Sequence, residues 1–269
     1  MTANDGGMME TENEDILYER RGAIAWVTFN RPGQRNAMTF AMYDRLAQIC
    51  DEVEQDRDIR VLVLTGAGDR AFVSGTDISQ FQTFTDPQHA IDYEARVDGV
   101  IGRLESVQRP TIAAIQGYAV GGGASLALAC DLRVCTPNAR FGVPIARTLG
   151  NCLSTNNYSR LVDLIGPART KELIYTAKMI EAEEAKAIGL VNHIVEPEEL
   201  LNRAQELAEQ IAANAPLTIQ VTKESIRRVV LHRRPPKDEE LILKCYMSDD
   251  FKEGVNAFLE KRKPQWQGR

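Results

Sequence analysis

The strongest constraint on the fold is a set of short apolar runs without polar alternation. Residues 61–65 (Val-Leu-Val-Leu-Thr) and 111–115 (Thr-Ile-Ala-Ala-Ile) each have the length of one strand, and such continuous runs are typical of strands buried on both faces. Residues 23–29 and 132–135 predict two more strands. Because helical periodicity separates these runs, the chain predicts an α/β fold with its strands in the interior.

Only helical patterns follow residue 197. One helix is predicted from Leu200, a second over residues 217–232 and a third over residues 238–262. Their apolar stripes are too extensive for a small appendage, and large exposed apolar patches are rare on monomers. The predicted organisation is a disordered acidic tail at residues 1–15, an α/β core at residues 16–196 and a C-terminal helical oligomerisation region at residues 197–269.

The composition is that of a globular protein and excludes several classes of partner. The 269 residues include 32 Lys and Arg against 38 Asp and Glu, which gives a net charge of −6. Nucleic acids and anionic membranes favour a basic face, which this balance does not predict. The sequence also contains no apolar stretch of about 18 residues that would span a bilayer. We therefore expect neither a nucleic acid nor a membrane as partner.

The cysteines and the amino-terminal residues predict the compartment. The five cysteines are scattered, no two form a C-x-x-C pair, and only three histidines are present. This pattern predicts free thiols, no disulfide framework and no metal site. The first 15 residues carry five acidic side chains and no Lys or Arg, unlike a secretory signal or a mitochondrial presequence. We expect a cytoplasmic protein.

Two glycine motifs have alternative interpretations that other residues disfavour. Residues 66–71 match G-x-G-x-x-[GA], but a dinucleotide site needs a helix to start within the motif, and residues 72–77 look extended. Residues 123–127 (Gly-Ala-Ser-Leu-Ala) approach the nucleophile elbow of serine hydrolases around Ser125. That chemistry needs a histidine base after the serine in the chain, and His193 lies in a predicted strand.

Two glycine-containing loops, which overlap or follow these motifs, have one functional interpretation when they are taken together. Gly75-Thr76-Asp77 and Gly121-Gly122-Gly123 each follow a buried strand, and a small-residue helix begins after Gly122. Backbone N–H groups of Thr76 and Gly122 that meet at one oxygen atom would form an oxyanion hole, with the positive end of the helix dipole aimed at the same point. Such a hole stabilises an enolate or a tetrahedral oxyanion.

The order and spacing of several segments resemble the crotonase (enoyl-CoA hydratase/isomerase) superfamily from about residue 16 to residue 266. Each segment alone is a weak signal, but the set is specific. The matching segments are Asn30-Arg31-Pro32 through Asn36-Ala37-Met38, residues 72–78 (FVSGTDI), 117–123 (GYAVGGG), 130–133 (CDLR), 139–144 (ARFGVP), 187–191 (AIGLV) and 258–262 (FLEKR).

The resemblance implies a fold, an assembly and a substrate. The fold is a spiral of ββα turns whose C-terminal helices pack between subunits of a trimer or a hexamer. The substrate is an acyl-CoA whose thioester carbonyl lies between the amides of Thr76 and Gly122, so coenzyme A arrives as part of the substrate and no cofactor is tightly bound. The residues implied to contact CoA are Ala37, Thr76, Asp77, Ile78 and Ser79, with Arg35 and, from a neighbouring subunit, Lys261 on its phosphates.

The sequence departs from the family at the acid–base positions. Hydratases of the family use two glutamates, and Ser125 and Ile145 occupy those positions here. Ser cannot act as a base near neutral pH, and Ile carries no polar group. Arg147 and Asn151 lie in the altered stretch that follows, where Arg147 is a candidate to hold a substrate carboxylate. Cys152 and Asn156 add polar groups to the same stretch.

The expected function is processing of acyl-CoA thioesters through an oxyanion-stabilised enolate. The resemblance favours an enoyl-CoA hydratase or isomerase of fatty acid metabolism, but without the two glutamates ordinary hydration is expected to be slow. Two alternatives stay open. One is a decarboxylase or C–C lyase of the same fold that acts on an acidic acyl-CoA, and the other is a non-catalytic acyl-CoA-binding protein.

Overall fold

The apolar runs of the sequence form the strands of the computed structural model. The structure describes residues 15–83, 85–231 and 239–268. The strands within these residues are β1 (Ile16–Arg21), β2 (Ile24–Phe29), β3 (Val61–Gly66), β4 (Ala71–Val73), β5 (Thr111–Ile115), β6 (Tyr118–Val120), β7 (Leu132–Cys135), β8 (Arg140–Gly142), β9 (Ile180–Glu181) and β10 (His193–Ile194).

The chain builds two sheets in alternation. One sheet has six strands in the order β1-β2-β3-β5-β7-β10, and the other has four in the order β4-β6-β8-β9. From β2 to β10 neighbouring strands of the first sheet are parallel, as are β4, β6 and β8 in the second. Each pair β3–β4, β5–β6 and β7–β8 thus places one strand in each sheet before a helical segment follows. This confirms the expected ββα spiral.

Helices cover both faces of the larger sheet. The helices of the described residues are α1 (Phe40–Gln55), α2 (Pro87–Ser106), α3 (Gly122–Ala129), α4 (Ile145–Thr148), α5 (Thr155–Thr176), α6 (Ala182–Ala187), α7 (Leu200–Ala212), α8 (Pro216–Leu231), α9 (Glu239–Tyr246) and α10 (Asp249–Leu259). On β3, Leu62 and Leu64 face the cluster that contains α1 and α2, whereas Val61 and Val63 face Leu200 of α7. This alternation explains the continuous apolar run.

The structure differs from the sequence prediction in two places. Strand β1 has no counterpart in the sequence prediction, because it lies at the sheet edge with most side chains exposed and shows no apolar run. The single helix predicted over residues 238–262 is two helices, because the Ser248 side chain caps α10 by accepting a hydrogen bond from the Phe251 N–H. Helix α5 contains a kink at Gly166, whose backbone is not helical.

The C-terminal region contributes to the core as well as to the surface. Leu200, Ala204 and Ala208 of α7 are buried on the large sheet, and Tyr246 of α9 is buried beside α2. The predicted acidic tail, apart from Asp15, and His232 lie outside the described residues. None of the helices within the described ranges is long and apolar enough to cross a membrane.

Helix α3 approaches β4 so closely that only glycine fits at position 123. A Cβ atom built on Gly123 would lie 2.0 Å from the carbonyl oxygen of Val73 and 2.7 Å from its carbonyl carbon. We expect Gly123→Ala to lower the free energy of unfolding by about 2–3 kcal/mol, because this backbone cannot move aside without disturbing the sheet. Equilibrium urea unfolding monitored by circular dichroism measures this change.

A glycine on another helix provides the control. Gly99 lies in α2, and a Cβ atom there would meet nothing within 4 Å. Gly99→Ala should raise the free energy of unfolding by up to about 1 kcal/mol, because alanine loses less backbone entropy in a helix. Equal stability of Gly123→Ala and the wild type would contradict the tight contact between α3 and β4.

Candidate active site

The two glycine loops meet at one end of the sheets, as the sequence predicted. A Cβ atom built on Gly122 would lie 3.8 Å from the backbone nitrogen of Thr76 and 3.4 Å from its Oγ1. The loop around Thr76 is fixed by Met38, whose N–H donates to the Gly75 carbonyl at 2.8 Å and whose carbonyl accepts from the Asp77 N–H at 2.9 Å. The amides of Thr76 and Gly122 are therefore held side by side.

Both amides are available to a ligand. Neither the Thr76 N–H nor the Gly122 N–H donates a hydrogen bond to a protein group within the described residues. Gly122 is the first residue of α3, so its N–H is one of the donors that a helix leaves without an intrahelical partner. The positive end of the α3 dipole reinforces the same donor. Two adjacent N–H groups of this kind can hold one negatively charged oxygen.

Two tyrosines hold the Thr76 side chain. Its Oγ1 forms hydrogen bonds with the Tyr43 hydroxyl at 3.0 Å and with the Tyr93 hydroxyl at 2.9 Å. Burial raises the pKa of Tyr43 to about 12 and that of Tyr93 well above its usual value, so both are neutral phenols near pH 7. This arrangement fixes the threonine side chain and with it the direction of the Thr76 N–H.

A cavity of about 160 Å³ opens in front of the two amides. Most of its lining is apolar, which excludes water and strengthens any electrostatic interaction inside. Ile78, predicted to contact CoA, lies in the lining, as does Phe258 at the end of α10. The polar side chains of the lining are Ser74, Thr76, Tyr93, Glu94, Ser125, Thr148, Asn151, Cys152 and Asn157.

The two positions at which the resemblance implies glutamates line this cavity. They are Ser125 of α3 and Ile145 of α4, and the two residues are 2% and 6% exposed. Neither can take a proton from water or from carbon near neutral pH.

A buried carboxylate enters the cavity from another direction. Glu94 of α2 is 6% exposed, lines the cavity and accepts a hydrogen bond of 2.5 Å from the hydroxyl of Tyr246. Asn151 also lines the cavity, and its Nδ2 donates to the Tyr246 oxygen at 3.1 Å. Burial, together with the charge of Glu94, raises the pKa of Tyr246 well above its usual value, so the phenol stays a donor.

Asp77 belongs to the structural support of the loop. Its carboxylate accepts hydrogen bonds from Ser79 Oγ at 2.8 Å and from the guanidinium of Arg31 at 3.3 Å. Burial raises the pKa of Asp77, but the hydrogen bonds from Ser79 and Arg31 outweigh burial and hold this pKa below its usual value. Arg31 also donates to the carbonyl oxygen of Ala37 at 2.7 Å, which joins both sides of the loop.

Three cations expected to contact the substrate lie on the surface, away from the cavity lining. Arg35 is exposed and its guanidinium stands 5.8 Å from the centre of the Tyr118 ring. Lys261 is exposed just after α10, three residues from Phe258 of the lining. Arg147 is exposed on α4 and is not part of the lining. Arg35 and Lys261 are thus accessible to CoA phosphates, whereas a grip on the acyl group by Arg147 finds no support in its position.

Glu94 was not predicted from the sequence, although the spacing of residues in helix α2 places it on the apolar face. The buried side chains of this helix include Ala90, Tyr93, Glu94, Val97 and Ile101, which recur at three- and four-residue spacing. A carboxylate on the apolar face of a helix is rarely found without a partner or a function. The roles of Tyr43 and Tyr246 depend on contacts between distant parts of the chain, and no local pattern predicts them.

The described residues offer no group of three or more His, Cys, Asp or Glu side chains placed to bind a metal ion. A crotonase-like spiral with two adjacent amides beside an apolar cavity resembles the fold of enzymes that act on CoA thioesters. Comparison with known proteins places the chain among such enzymes. The chain belongs to the enoyl-CoA hydratase/isomerase family, whose model matches residues 19–269.

Relatives and solved structures agree with this family. The chain is 37% identical over 260 residues to the short-chain-enoyl-CoA hydratase of Clostridium acetobutylicum, covering 94% of this chain and 97% of the relative. An enoyl-CoA hydratase/carnithine racemase structure from Magnetospirillum magneticum is 35% identical with a TM-score of 0.77, over 95% and 96% of the two chains. A methylmalonyl-CoA decarboxylase in complex with 2-nitronate-propionyl-CoA is 28% identical with a TM-score of 0.87, over 94% and 98%.

Proposed function

We propose that this protein acts on acyl-CoA thioesters by stabilising an enolate between the N–H groups of Thr76 and Gly122. The observation that carries the proposal is the pair of adjacent amides without protein partners at the edge of an apolar cavity. A thioester oxygen gains negative charge when the Cα carbon becomes an enolate. Donors fixed in place before the reaction stabilise that charge more than they stabilise the neutral carbonyl, so they lower the barrier.

The favoured reactions are those of the family, hydration or isomerisation of an enoyl-CoA. Hydration needs a group that activates water and a group that protonates Cα, and the family assigns these tasks to two glutamates. Within the part of the chain that the structure describes, the lining of the cavity includes one carboxylate, Glu94, and no Asp, Lys, Arg or His. This supports an enzyme of the family in which hydration is not the fastest reaction.

Hydration of crotonyl-CoA by the wild type should therefore be slow. The expected rate is about 10²-fold to 10⁶-fold below that of a family member that carries both glutamates, depending on how far the two groups act as a unit. Loss of the enoyl-thioester absorbance measures the rate. A rate typical of a fast hydratase would refute this expectation, and binding of crotonyl-CoA without any turnover on a panel of acyl-CoAs would favour the non-catalytic alternative.

The oxyanion donor at Gly122 can be tested by replacing it with proline. A Cβ atom at Gly122 would lie 2.5 Å from the Tyr43 hydroxyl, so the test is made in a Tyr43→Phe background, which removes that oxygen. Because proline is tolerated at the first position of a helix and lacks an N–H, Gly122→Pro deletes one donor. The expected loss in kcat is about 10²–10³-fold.

The control for this variant is Gly122→Ala in the same Tyr43→Phe background. Alanine adds the same Cβ atom and keeps the N–H, so the difference between the two variants reports the donor alone. Initial rates are measured with the best acyl-CoA of the panel, with circular dichroism to show that both variants fold. Equal rates for the proline and alanine variants would exclude the Gly122 amide from the oxyanion hole.

Decarboxylation is the second candidate, and the fold neighbour named as a methylmalonyl-CoA decarboxylase favours it. Loss of CO₂ from an acidic acyl-CoA leaves an enolate without any base, so the absence of both glutamates is no obstacle. The described residues of the cavity lining offer no cation to hold the substrate carboxylate, and an unpaired carboxylate in an apolar cavity is higher in energy before it leaves as CO₂. Methylmalonyl-CoA in the same panel, with release of CO₂ as the readout, separates this reaction from proton transfer.

We also propose that helix α8 packs between subunits of a trimer or hexamer. Lys223 ties this helix to the core by donating to Asp131 at 2.7 Å, and α8 has no buried residue. The apolar side chains that it leaves in solvent are 58–73% exposed and belong to Leu217, Val221, Ile226 and Val229.

Light scattering should give the mass of a trimer or a hexamer. Val221→Asp should shift the protein to smaller species, because a charge cannot be buried unpaired in an interface. Leu17→Asp, on the exposed edge strand β1, is the control and should leave the assembly intact. A monomer of 30.0 kDa at micromolar concentration would contradict the assembly.

A further inference from the structure

Among the described residues that line the cavity, Glu94 is the one acidic side chain, and its position is costly. It lies on the buried face of α2 among Ala90, Val97 and Ile101, where an apolar residue would pack without loss. Burying a carboxylate removes it from water, and such groups are usually paired or functional. The hydroxyl of Tyr246 is one of its partners.

The carboxylate of Glu94 is oriented by a short series of donors. The Tyr246 hydroxyl donates to Glu94 Oε1 at 2.5 Å, and Asn151 Nδ2 donates to the Tyr246 oxygen at 3.1 Å. Tyr246 is 1% exposed and packs against Phe251, with ring centroids 4.7 Å apart, so its ring has little freedom. Tyr246 thus fixes the Glu94 carboxylate at the wall of the cavity.

Glu94 lines the same cavity as Thr76 and Gly122. It follows Tyr93 in α2, and the Tyr93 hydroxyl is 2.9 Å from Thr76 Oγ1. Tyr43, next to Gly122, has a raised pKa to which burial contributes first and the charge of Glu94 also contributes. The carboxylate and the amide pair therefore line one small volume.

We propose that Glu94 is the catalytic acid–base group of this enzyme and moves the proton at Cα of an acyl-CoA whose thioester oxygen lies on the Thr76 and Gly122 amides. The inference rests on the proposed function, because it needs the thioester at those amides. Tyr246 is a positioning residue in this scheme, since it touches Glu94 and not the reacting carbon. The carboxylate on α2 thus takes over a task that Ser125 and Ile145 cannot perform.

One carboxylate is sufficient for the isomerisation of a 3-enoyl-CoA to a 2-enoyl-CoA. Glu94 takes a proton from Cα, the C–H electron pair moves into the Cα–C1 bond, and the thioester oxygen becomes an oxyanion on the two amides. The neutral Glu94 then returns its proton to Cγ, the carbonyl re-forms, and the double bond lies between Cα and Cβ. No water, oxidant or second acid is consumed, and both the carboxylate and the amides are restored.

The test is exchange of the Cα protons of butyryl-CoA with deuterated water, followed by NMR. This saturated thioester has no double bond to hydrate, so exchange reports proton removal alone. The wild type should exchange, and Glu94→Gln should lower the exchange rate by about 10²–10⁴-fold with unchanged affinity for butyryl-CoA and unchanged melting temperature. Asp92→Asn is the matched control, because it removes an exposed carboxylate two residues away on the same helix.

A second variant guards against a purely structural role of Glu94. Glu94→Ala opens space in the cavity, and added formate supplies a small carboxylate in its place. Formate should restore exchange in Glu94→Ala, whereas sodium chloride at the same concentration should not, and a packing role would not respond to either salt. If Glu94→Gln loses affinity or fold, restoration by formate decides in favour of the proposal, and no restoration decides against it.

The outcomes separate this inference from the proposed function. A wild type that does not bind butyryl-CoA overturns the proposed function and the role of Glu94 with it. A wild type that binds butyryl-CoA without Cα exchange, or a Glu94→Gln variant that exchanges at the wild-type rate, overturns the role of Glu94 and leaves thioester binding at the amides intact. The isomerisation of 3-pentenoyl-CoA by the same variants should follow the exchange rates.

Discussion

The close contact between α3 and β4 determines the geometry of the whole site. Because Gly123 has no side chain, the first turn of α3 can lie against the backbone of Val73, where any Cβ atom would overlap the carbonyl group. The chain that continues from Val73 leads within three residues to Thr76. The same contact therefore brings the N-terminus of α3 and the loop after β4 to the same point. Both amides thus belong to rigid parts of the fold.

Two neutral tyrosine side chains support the pair of amides. Tyr43 and Tyr93 hold Thr76 Oγ1 from two helices, α1 and α2, and their raised pKa values keep them neutral across the physiological range. They position the backbone without adding charge near the forming oxyanion, which a tyrosinate would destabilise. Helix α2 thus supplies two neighbouring residues to the site, since Tyr93 holds Thr76 and Glu94 lines the cavity.

The sequence predicts the backbone of the site better than its side chains. Thr76 and Gly122 belong to local strand–turn–helix patterns, and the buried strands that carry the loops have continuous apolar runs, so both follow from residues close together in the chain. Strand β1 shows no such run because most of its side chains face water. The contact between Tyr246 and Glu94 joins residues 152 positions apart, and only the packing of α9 on α2 brings them together. No local periodicity contains that information.

A fold of this kind separates carbonyl activation from proton transfer. In the proposed function the oxyanion donors are backbone groups, so they require a glycine and a fixed loop and no particular side chain of the cavity wall. Acid–base groups are side chains that any wall of the cavity can supply, provided that a carboxylate reaches the carbon and a donor orients it. Here the walls formed by α3 and α4 present Ser125 and Ile145, and the wall formed by α2 presents Glu94 under Tyr246. In the proposed scheme the two amides fix the plane of the thioester, so a carboxylate on a different wall approaches the bound acyl group from a different side. The helix that carries the carboxylate then sets the face of the enolate that accepts the proton, even though the amide pair stays the same.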